Sequence, residues 1–156
     1  MTGIMRAVLL SLLCVPLLAL ATASDHAPKG IFAESFLDIP EDVRDAAKSR
    51  RRLIVFFEQD GCPSCIRMGR VTFADATVAE RLKRGFVLLA VNVFGARDTV
   101  WTDGVSRSEK ALGAHVGVRG TPTVVILDEK GQVAQRFVGY RDPAAFLEIL
   151  DTAAPK

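Results

Sequence analysis

Apolar and polar positions group into blocks along the chain, and the blocks predict helices that alternate with strands. Residues 53–57 are apolar at every position, which is typical of a parallel strand covered on both faces. A second strand is predicted over residues 86–94, where Asn92 is the only polar residue. Before the first strand, a helix is predicted over residues 40–48, and its apolar stripe consists of Ile39, Val43, Ala46 and Ala47.

Local signals place the remaining elements. Asp75 or Thr77 can cap a helix that ends at Gly85. Ser106 and Glu109 have the spacing of a capping box, which predicts a helix that runs to about His115. Residues 123–127 and 132–138 flank a turn and predict a hairpin, and a final helix follows over residues 143–150. This order predicts an α/β fold with a mixed sheet between helices.

The first residues have the composition of a secretory signal peptide. Arg6 precedes an apolar stretch, and Ala21, Thr22 and Ala23 form a small-residue cleavage pattern. We therefore predict an exported, periplasmic protein, cleaved after Ala23, with Cys14 removed in the signal. An uncleaved membrane anchor is the alternative. Residues 24–35 are expected to form a flexible lead-in, and one domain is predicted over residues 36–153.

Charge excludes one class of function. Removal of the first 23 of 156 residues leaves 133, with 19 basic and 18 acidic side chains. A net charge of +1 is no signature of nucleic-acid binding. We expect a monomer whose partners are proteins.

Two cysteines remain after cleavage, and both lie in the motif Cys62-Pro63-Ser64-Cys65. The motif follows the strand at 53–57, so Cys62 is predicted at the start of a helix, with Pro63 in its first turn. Unpaired amides and the helix dipole at that position favour a thiolate. Cys65 lies on the same helix face, where it can attack a mixed disulfide formed at Cys62. The motif predicts a nucleophile, Cys62, and a resolving thiol, Cys65.

Two other interpretations of the cysteine pair are a structural disulfide and half of a zinc site. The closed loop is short, so a disulfide here constrains the unfolded chain very little. A zinc site is disfavoured because the chain has no second Cys-x-x-Cys pair, and its histidines, His26 and His115, lie far apart. We expect no cofactor besides the Cys62–Cys65 disulfide.

The strand, the Cys-Pro-Ser-Cys helix and the segment Gly120-Thr121-Pro122-Thr123 before a hairpin resemble a thioredoxin-fold protein over residues 53–150. The resemblance implies that Pro122 is cis and packs against the cysteine pair. It also implies that the backbone of Thr121 pairs with an incoming peptide.

A narrower resemblance is to the periplasmic thioredoxins of bacterial sulfur-oxidation (Sox) clusters. It is carried by residues 91–95, 118–123 and 137–140, together with an insertion before the helix that precedes Pro122. That resemblance implies a reductant for partner cysteines, itself reduced by a membrane thiol transporter.

The chain departs from the thioredoxin pattern at two positions. Phe56 stands where that family has a buried acid, and Gly61 stands where it has a tryptophan. Glu58 shares a strand face with Phe56, so it is the candidate proton acceptor. The alternative is a solvated carboxylate at the end of the strand.

Three functions remain open from the sequence. The first is a periplasmic reductase for specific partners, and the second is an oxidant or isomerase for exported proteins. The third is a thioredoxin-fold binding module without catalysis. Ser64 between the cysteines favours reduction, because strong oxidants carry a histidine there.

Residues 95–105 predict an irregular loop that leaves the sheet edge where Cys62 lies. Ligands of open α/β sheets bind at that edge. Trp101 is therefore predicted to supply apolar contact area for a partner protein.

Overall fold

The structure is a computed structural model that describes residues 27–155. The predicted signal peptide, Cys14 and His26 lie outside the described residues. In chain order the elements are α1 (Ile39–Lys48), β1 (Arg52–Glu58), α2 (Pro63–Arg67), a π-helical segment (Met68–Thr72), α3 (Ala76–Gly85), β2 (Phe86–Asn92), β3 (Asp98–Val100), β4 (Ser106–Ser108), α4 (Glu109–His115), β5 (Thr123–Leu127), β6 (Val133–Val138) and α5 (Pro143–Thr152). Within residues 27–155, no helix has the length and apolar character needed to cross a membrane.

The main sheet has four strands in the order β2-β1-β5-β6. β1 is parallel to β2, whereas β5 is antiparallel to both β1 and β6. The parallel pair explains why the chain must return through α2 and α3 between β1 and β2. The predicted α/β fold with a mixed sheet and flanking helices is confirmed.

β1 is the centre of the core, as its unbroken apolar run predicts. Its alternate residues face two apolar clusters. Ile54 and Phe56 belong to the cluster that includes both cysteines and Phe146 of α5. The opposite cluster contains Leu53, Val55 and Phe57, together with Val43 of α1 and Leu112 of α4. Burial of each such side chain contributes about 1.5–3 kcal/mol, so β1 is held firmly on both faces.

Side-chain caps fix where the helices begin. Asp75, one of the two predicted caps of α3, accepts hydrogen bonds from the backbone N–H groups of the first turn. The predicted capping box of Ser106 and Glu109 is wrong. Ser106 lies in β4, and Ser108 instead accepts from the N–H of Ala111 at 3.2 Å. α4 therefore begins later than the sequence spacing predicts.

β2 ends at Asn92, two residues earlier than predicted. The side-chain oxygen of Asn92 accepts a hydrogen bond from the N–H of Phe94 at 2.9 Å, and the backbone carbonyl of Asn92 accepts from the N–H of Gly95 at 2.8 Å. Val93 still donates its N–H to the carbonyl of Glu58 at 2.8 Å, and the turn then carries Phe94 away from the sheet.

The segment before α1 packs against the domain. Phe32 is only 8% exposed, and its ring lies 5.8 Å from that of Phe56 and 5.9 Å from that of Phe73. The N–H of Ala33 donates to the carbonyl of Leu88 at 2.8 Å. Within residues 24–35, predicted to form a flexible lead-in, Phe32 is thus a packed position that completes an aromatic cluster.

β3, which lies within the stretch predicted to be irregular, pairs with β4, which follows that stretch, as a small antiparallel hairpin. Arg107 closes the hairpin by donating from Nη2 to Asp103 at 2.7 Å. This hydrogen bond lowers the pKa of the Asp103 carboxyl to about 2. The hairpin also joins the domain, because the N–H of Val100 donates to the carbonyl of Leu37 at 2.9 Å.

Trp101 is part of the core. Its side chain is 7% exposed, and the indole lies 6.2 Å from the ring of Phe57. The prediction that Trp101 offers contact area to a partner is corrected by this placement, because β3 and β4 fold onto α1 and carry the indole inward. Trp101 anchors the hairpin to the domain.

Candidate active site

The site lies where β1 ends and α2 begins, as the motif predicts. Gly61 has φ of 69°, a conformation that favours glycine, and it turns the chain from strand to helix. Cys62 is the N-cap of α2, and Pro63 occupies the first turn. N–H groups of the first turn have no partner within the helix, so the missing N–H of proline costs no hydrogen bond there. The turn therefore presents the Cys62 sulfur to the open end of the helix.

Cys62 and Cys65 form a disulfide, with their Cα atoms 5.2 Å apart. The backbone N–H of Cys65 donates to Cys62 Sγ at 3.1 Å. This bond and the helix dipole stabilise negative charge on Cys62 once the disulfide is reduced. Cys62 is 5% exposed and Cys65 is 1% exposed, so Cys62 is the more exposed residue of the pair.

Thr121 contacts the same sulfur from the other side. Its hydroxyl donates to Cys62 Sγ at 3.3 Å, and its carbonyl oxygen lies 3.6 Å from that sulfur. The Thr121–Pro122 peptide bond is cis. Pro122 is held in turn by Gly139, whose N–H donates to the Pro122 carbonyl at 2.8 Å. The structure thus brings together Cys62, Cys65, Thr121 and Pro122.

The region behind the cysteines is apolar where a thioredoxin carries an acid. Phe56 is 1% exposed and belongs to the same cluster as both cysteines. Its ring lies 5.3 Å from that of Phe73 at a steep angle, an arrangement that aromatic rings prefer. Phe56 supplies packing beneath the disulfide and cannot exchange a proton.

Glu58 is the last residue of β1 and lies at the sheet edge that carries the cysteine turn. It is 7% exposed, so the alternative of a solvated strand-end carboxylate is wrong. Its position two residues after Phe56 puts it on the face of the sheet that carries the cysteines.

The hydroxyl of Thr121 is a site feature that sequence analysis missed. The Thr-Pro dipeptide predicts the loop, and the resemblance implies a role for the backbone of Thr121 but none for its hydroxyl. The contact with Cys62 depends on how the loop before β5 approaches α2. No local pattern reports that distance.

A buried carboxylate, also missed, holds the turn that follows β2. Glu109 is 2% exposed, and its Oε1 accepts from the N–H of Asn92 at 3.0 Å and from Arg97 Nη2 at 2.6 Å. Its Oε2 accepts from the N–H of Arg97 at 3.3 Å. A side chain at Gly95 would collide with this carboxylate. Glu109 therefore fixes the path of the chain beside the site.

Three segments that leave the same sheet edge form a groove beside Cys62. Gln59 follows β1, Phe94 follows β2 and Thr121 precedes β5, and α4 closes the other side with Lys110 and Ala114. The groove encloses a volume of about 330 Å³. Phe94 is 68% exposed at its rim, so the exposed aromatic side chain of this edge is Phe94, not Trp101.

Within residues 27–155, no three His, Cys, Asp or Glu side chains come close enough together to hold a metal ion. The chemistry that the described site supports is exchange at sulfur. A sulfur at a helix N-terminus, with a second sulfur behind it and a cis-proline loop beside it, is the arrangement of a thioredoxin-fold thiol-disulfide oxidoreductase.

Comparison with known proteins agrees with that class. The family described as a thioredoxin-like domain matches residues 39–154, and the chain belongs to this family. It is 31% identical over 121 residues to the thiol:disulfide interchange protein DsbD of Ralstonia nicotianae. That match covers 77% of this chain and 18% of the relative, so the similarity concerns a small part of DsbD.

Solved structures give the same fold. The solution structure of a thioredoxin from Thermus thermophilus is 27% identical, with a TM-score of 0.58, and the match covers 73% of this chain and 82% of that one. The C-terminal domain of Neisseria meningitidis DsbD in its oxidised form has a TM-score of 0.57 at 20% identity. That match covers 78% of this chain and 97% of that domain, and at this identity it shows the fold alone.

Proposed function

We propose that this protein is a periplasmic thiol-disulfide reductase that serves specific partner proteins. The observation that carries the proposed exchange at sulfur is the environment of Cys62 Sγ, which accepts the N–H of Cys65 and the hydroxyl of Thr121. Both donors stabilise a thiolate, and the thiolate is the form that attacks a disulfide. The reducing direction is supported by Ser64, which stands where strong oxidants carry a histidine.

The reaction consists of two exchanges at sulfur. The Cys62 thiolate attacks one sulfur of a partner disulfide, forms a mixed disulfide and releases the other partner sulfur as a thiolate, which takes up a proton. The Cys65 thiolate then attacks Cys62 Sγ and releases the second partner thiol. The protein ends with the Cys62–Cys65 disulfide seen in the structure, and the partner has gained two electrons and two protons.

The second exchange requires Cys65 to lose a proton in a buried setting. Phe56 cannot accept it, and Glu58 is the buried carboxylate on the same face of β1. We assign Glu58 as the proton acceptor. Glu58→Gln should slow the resolving step and change its pH profile, while alkylation of Cys62 keeps its wild-type rate.

Partner proteins are proposed to bind in extended form beside Thr121. The backbone N–H of Thr121 makes no hydrogen bond among residues 27–155, and β5 begins only at Thr123. A partner strand can therefore pair with this stretch of backbone and place its disulfide against Cys62.

The sequence and a relative support the proposed export and the proposed source of electrons. Residues 1–23 have the pattern of a signal peptide. A relative is named a thiol:disulfide interchange protein. We propose that a membrane thiol transporter reduces the Cys62–Cys65 disulfide after each cycle. The resemblance to thioredoxins of sulfur-oxidation clusters suggests partners that carry redox-active cysteines in that pathway.

The reduction potential tests the proposed direction. After equilibration with glutathione buffers, we expect a value near that of thioredoxin, about −270 mV. A value near −120 mV, typical of a strong oxidant, would reject a reductase in favour of an oxidant. The two values differ by about 7 kcal/mol in the free energy of the disulfide couple, so the measurement separates them clearly.

Selective alkylation tests catalysis against a binding module. In the reduced protein at neutral pH, iodoacetamide should modify Cys62 much faster than Cys65, because Cys62 is more exposed and has two donors to its sulfur. Equal and slow modification of both thiols would favour a module whose disulfide only stabilises its surface.

A further inference from the structure

The groove beside Cys62 carries two cations with no partner of their own. Lys110 lies on the α4 side of the groove, and Arg119 lies on the segment that leads to Thr121. Both side chains are exposed, and neither makes an ion pair or a side-chain hydrogen bond within residues 27–155. Among residues 27–155, the side chains that line the groove include no acid.

Several other cations around the site contact groups of the domain. Arg67 stacks over the ring of Tyr140 at 4.2 Å, and Arg141 lies over the ring of Phe137 at 5.0 Å and donates to backbone carbonyls. On the α4 side, Arg97 is paired with the buried Glu109. Within the groove itself, the positive charge is concentrated at Lys110 and Arg119.

The groove is continuous with the reacting sulfur. Thr121 lines the groove and also donates its hydroxyl to Cys62 Sγ at 3.3 Å. A chain that binds with its disulfide at Cys62 can therefore extend past Thr121 between the two cations. Charges at the rim of a binding site mainly raise the rate of association with oppositely charged partners.

We propose that this groove selects partner segments that carry acidic residues next to their disulfide. The inference rests on the proposed thiol-disulfide exchange and adds the class of partner to it. Lys110 and Arg119 act as specificity residues through their charge, and they take no part in the exchange at sulfur.

The test uses three synthetic peptides of equal length, each with one cysteine held as a thiopyridyl mixed disulfide and flanked by Glu, Gln or Lys. The reduced protein gives up two electrons and two protons, and the products are the oxidised protein, the peptide thiol and thiopyridone. The absorbance of thiopyridone reports the rate. The thiopyridyl disulfide of mercaptoethanol is uncharged and too small to extend along the groove. Its rate therefore measures the exchange at Cys62 alone.

For the wild-type protein at low salt, we expect the Glu peptide to react about ten-fold faster than the Gln peptide, and the Lys peptide to react slowest. The order should reverse in the double variant Lys110→Glu/Arg119→Glu, with each peptide rate divided by the rate of the mercaptoethanol disulfide so that any change in the Cys62 thiolate cancels. Added salt should narrow the wild-type preference, because the screening length falls to about 8 Å at physiological ionic strength. The wild-type ranking and its salt dependence test the proposal even if the double variant fails to fold.

Lys130→Glu/Lys48→Glu is the matched control, because it changes the net charge equally at positions away from the groove. Lys130 is exposed in the turn after β5, at the end of the sheet opposite to Cys62, and Lys48 is exposed at the end of α1. This control should retain the wild-type ranking. Equal rates for the three peptides, or a control that shifts the ranking as much as the groove variant, would overturn the inference. If the mercaptoethanol disulfide also fails to react, the result contradicts the proposed thiol-disulfide exchange as well as the inference about the groove.

Discussion

Removal of the Thr121 hydroxyl tests how the site favours a thiolate at Cys62. Thr121→Val keeps the shape of the side chain and deletes the donor that lies 3.3 Å from Cys62 Sγ. A hydrogen bond to a charged group contributes about 1.5–3 kcal/mol. Thr121 is half-buried, so we take the lower value, about 1.5 kcal/mol, which corresponds to about a ten-fold change in an equilibrium.

The assay is the rate of Cys62 alkylation by iodoacetamide in the reduced protein, measured across pH. Thr121→Val should react about ten-fold more slowly than wild type at neutral pH, and the two rates should converge at high pH, where the thiolate is complete in both. Thr121→Ser retains the hydroxyl and serves as the control, with a rate close to wild type. If the Val variant reacts as fast as the Ser variant at neutral pH, the hydroxyl does not stabilise the thiolate.

Three further predictions concern the parts that support the site. Glu109→Gln should destabilise the protein by about 2 kcal/mol in urea unfolding. This is less than the cost of breaking a fully buried ion pair, because Arg97 is 42% exposed. An unchanged unfolding midpoint would contradict the role of Glu109 in holding the turn. Trp101→Ala should cost about 3 kcal/mol of stability and leave the reduction of a small disulfide unchanged, whereas unchanged stability would argue against a core position. Asp103 should titrate near pH 2 by carboxyl NMR, and toward 3.8 in Arg107→Gln. Because the folded pKa is depressed, the stabilisation from Asp103 is complete above its unfolded pKa and is lost as the pH falls toward 2; a wild-type value near 3.8 would contradict it.

Local sequence patterns were sufficient for the elements that position the cysteines. The apolar run of β1 needs cover on both faces, and this requirement alone places the strand at the centre of the sheet. Gly61, Cys62 and Pro63 determine the strand-to-helix turn by their backbone preferences, so the position of Cys62 at the N-cap is predictable without knowledge of the fold.

The features that sequence analysis missed depend on contacts between distant segments. Trp101 is buried only because the β3–β4 hairpin folds against the start of α1. Phe32 is buried only because its segment bonds to β2 and brings its ring against Phe56. Glu109 was assigned to a helix cap because its spacing from Ser106 fits one. The structure turns its side chain inward, where it binds the backbone of the turn after β2.

The roles of the two cysteines are the central claim, and trapping of a mixed disulfide tests them most directly. The reduced Cys65→Ser and Cys62→Ser variants are each mixed with the neutral thiopyridyl peptide near neutral pH, and intact mass spectrometry measures the adduct. Cys65→Ser should accumulate a stable peptide adduct at Cys62, because the resolving thiol is gone. Cys62→Ser should form little adduct in the same time, since Cys65 is 1% exposed. Equal adducts on both variants would contradict the assignment of Cys62 as nucleophile and Cys65 as resolving thiol.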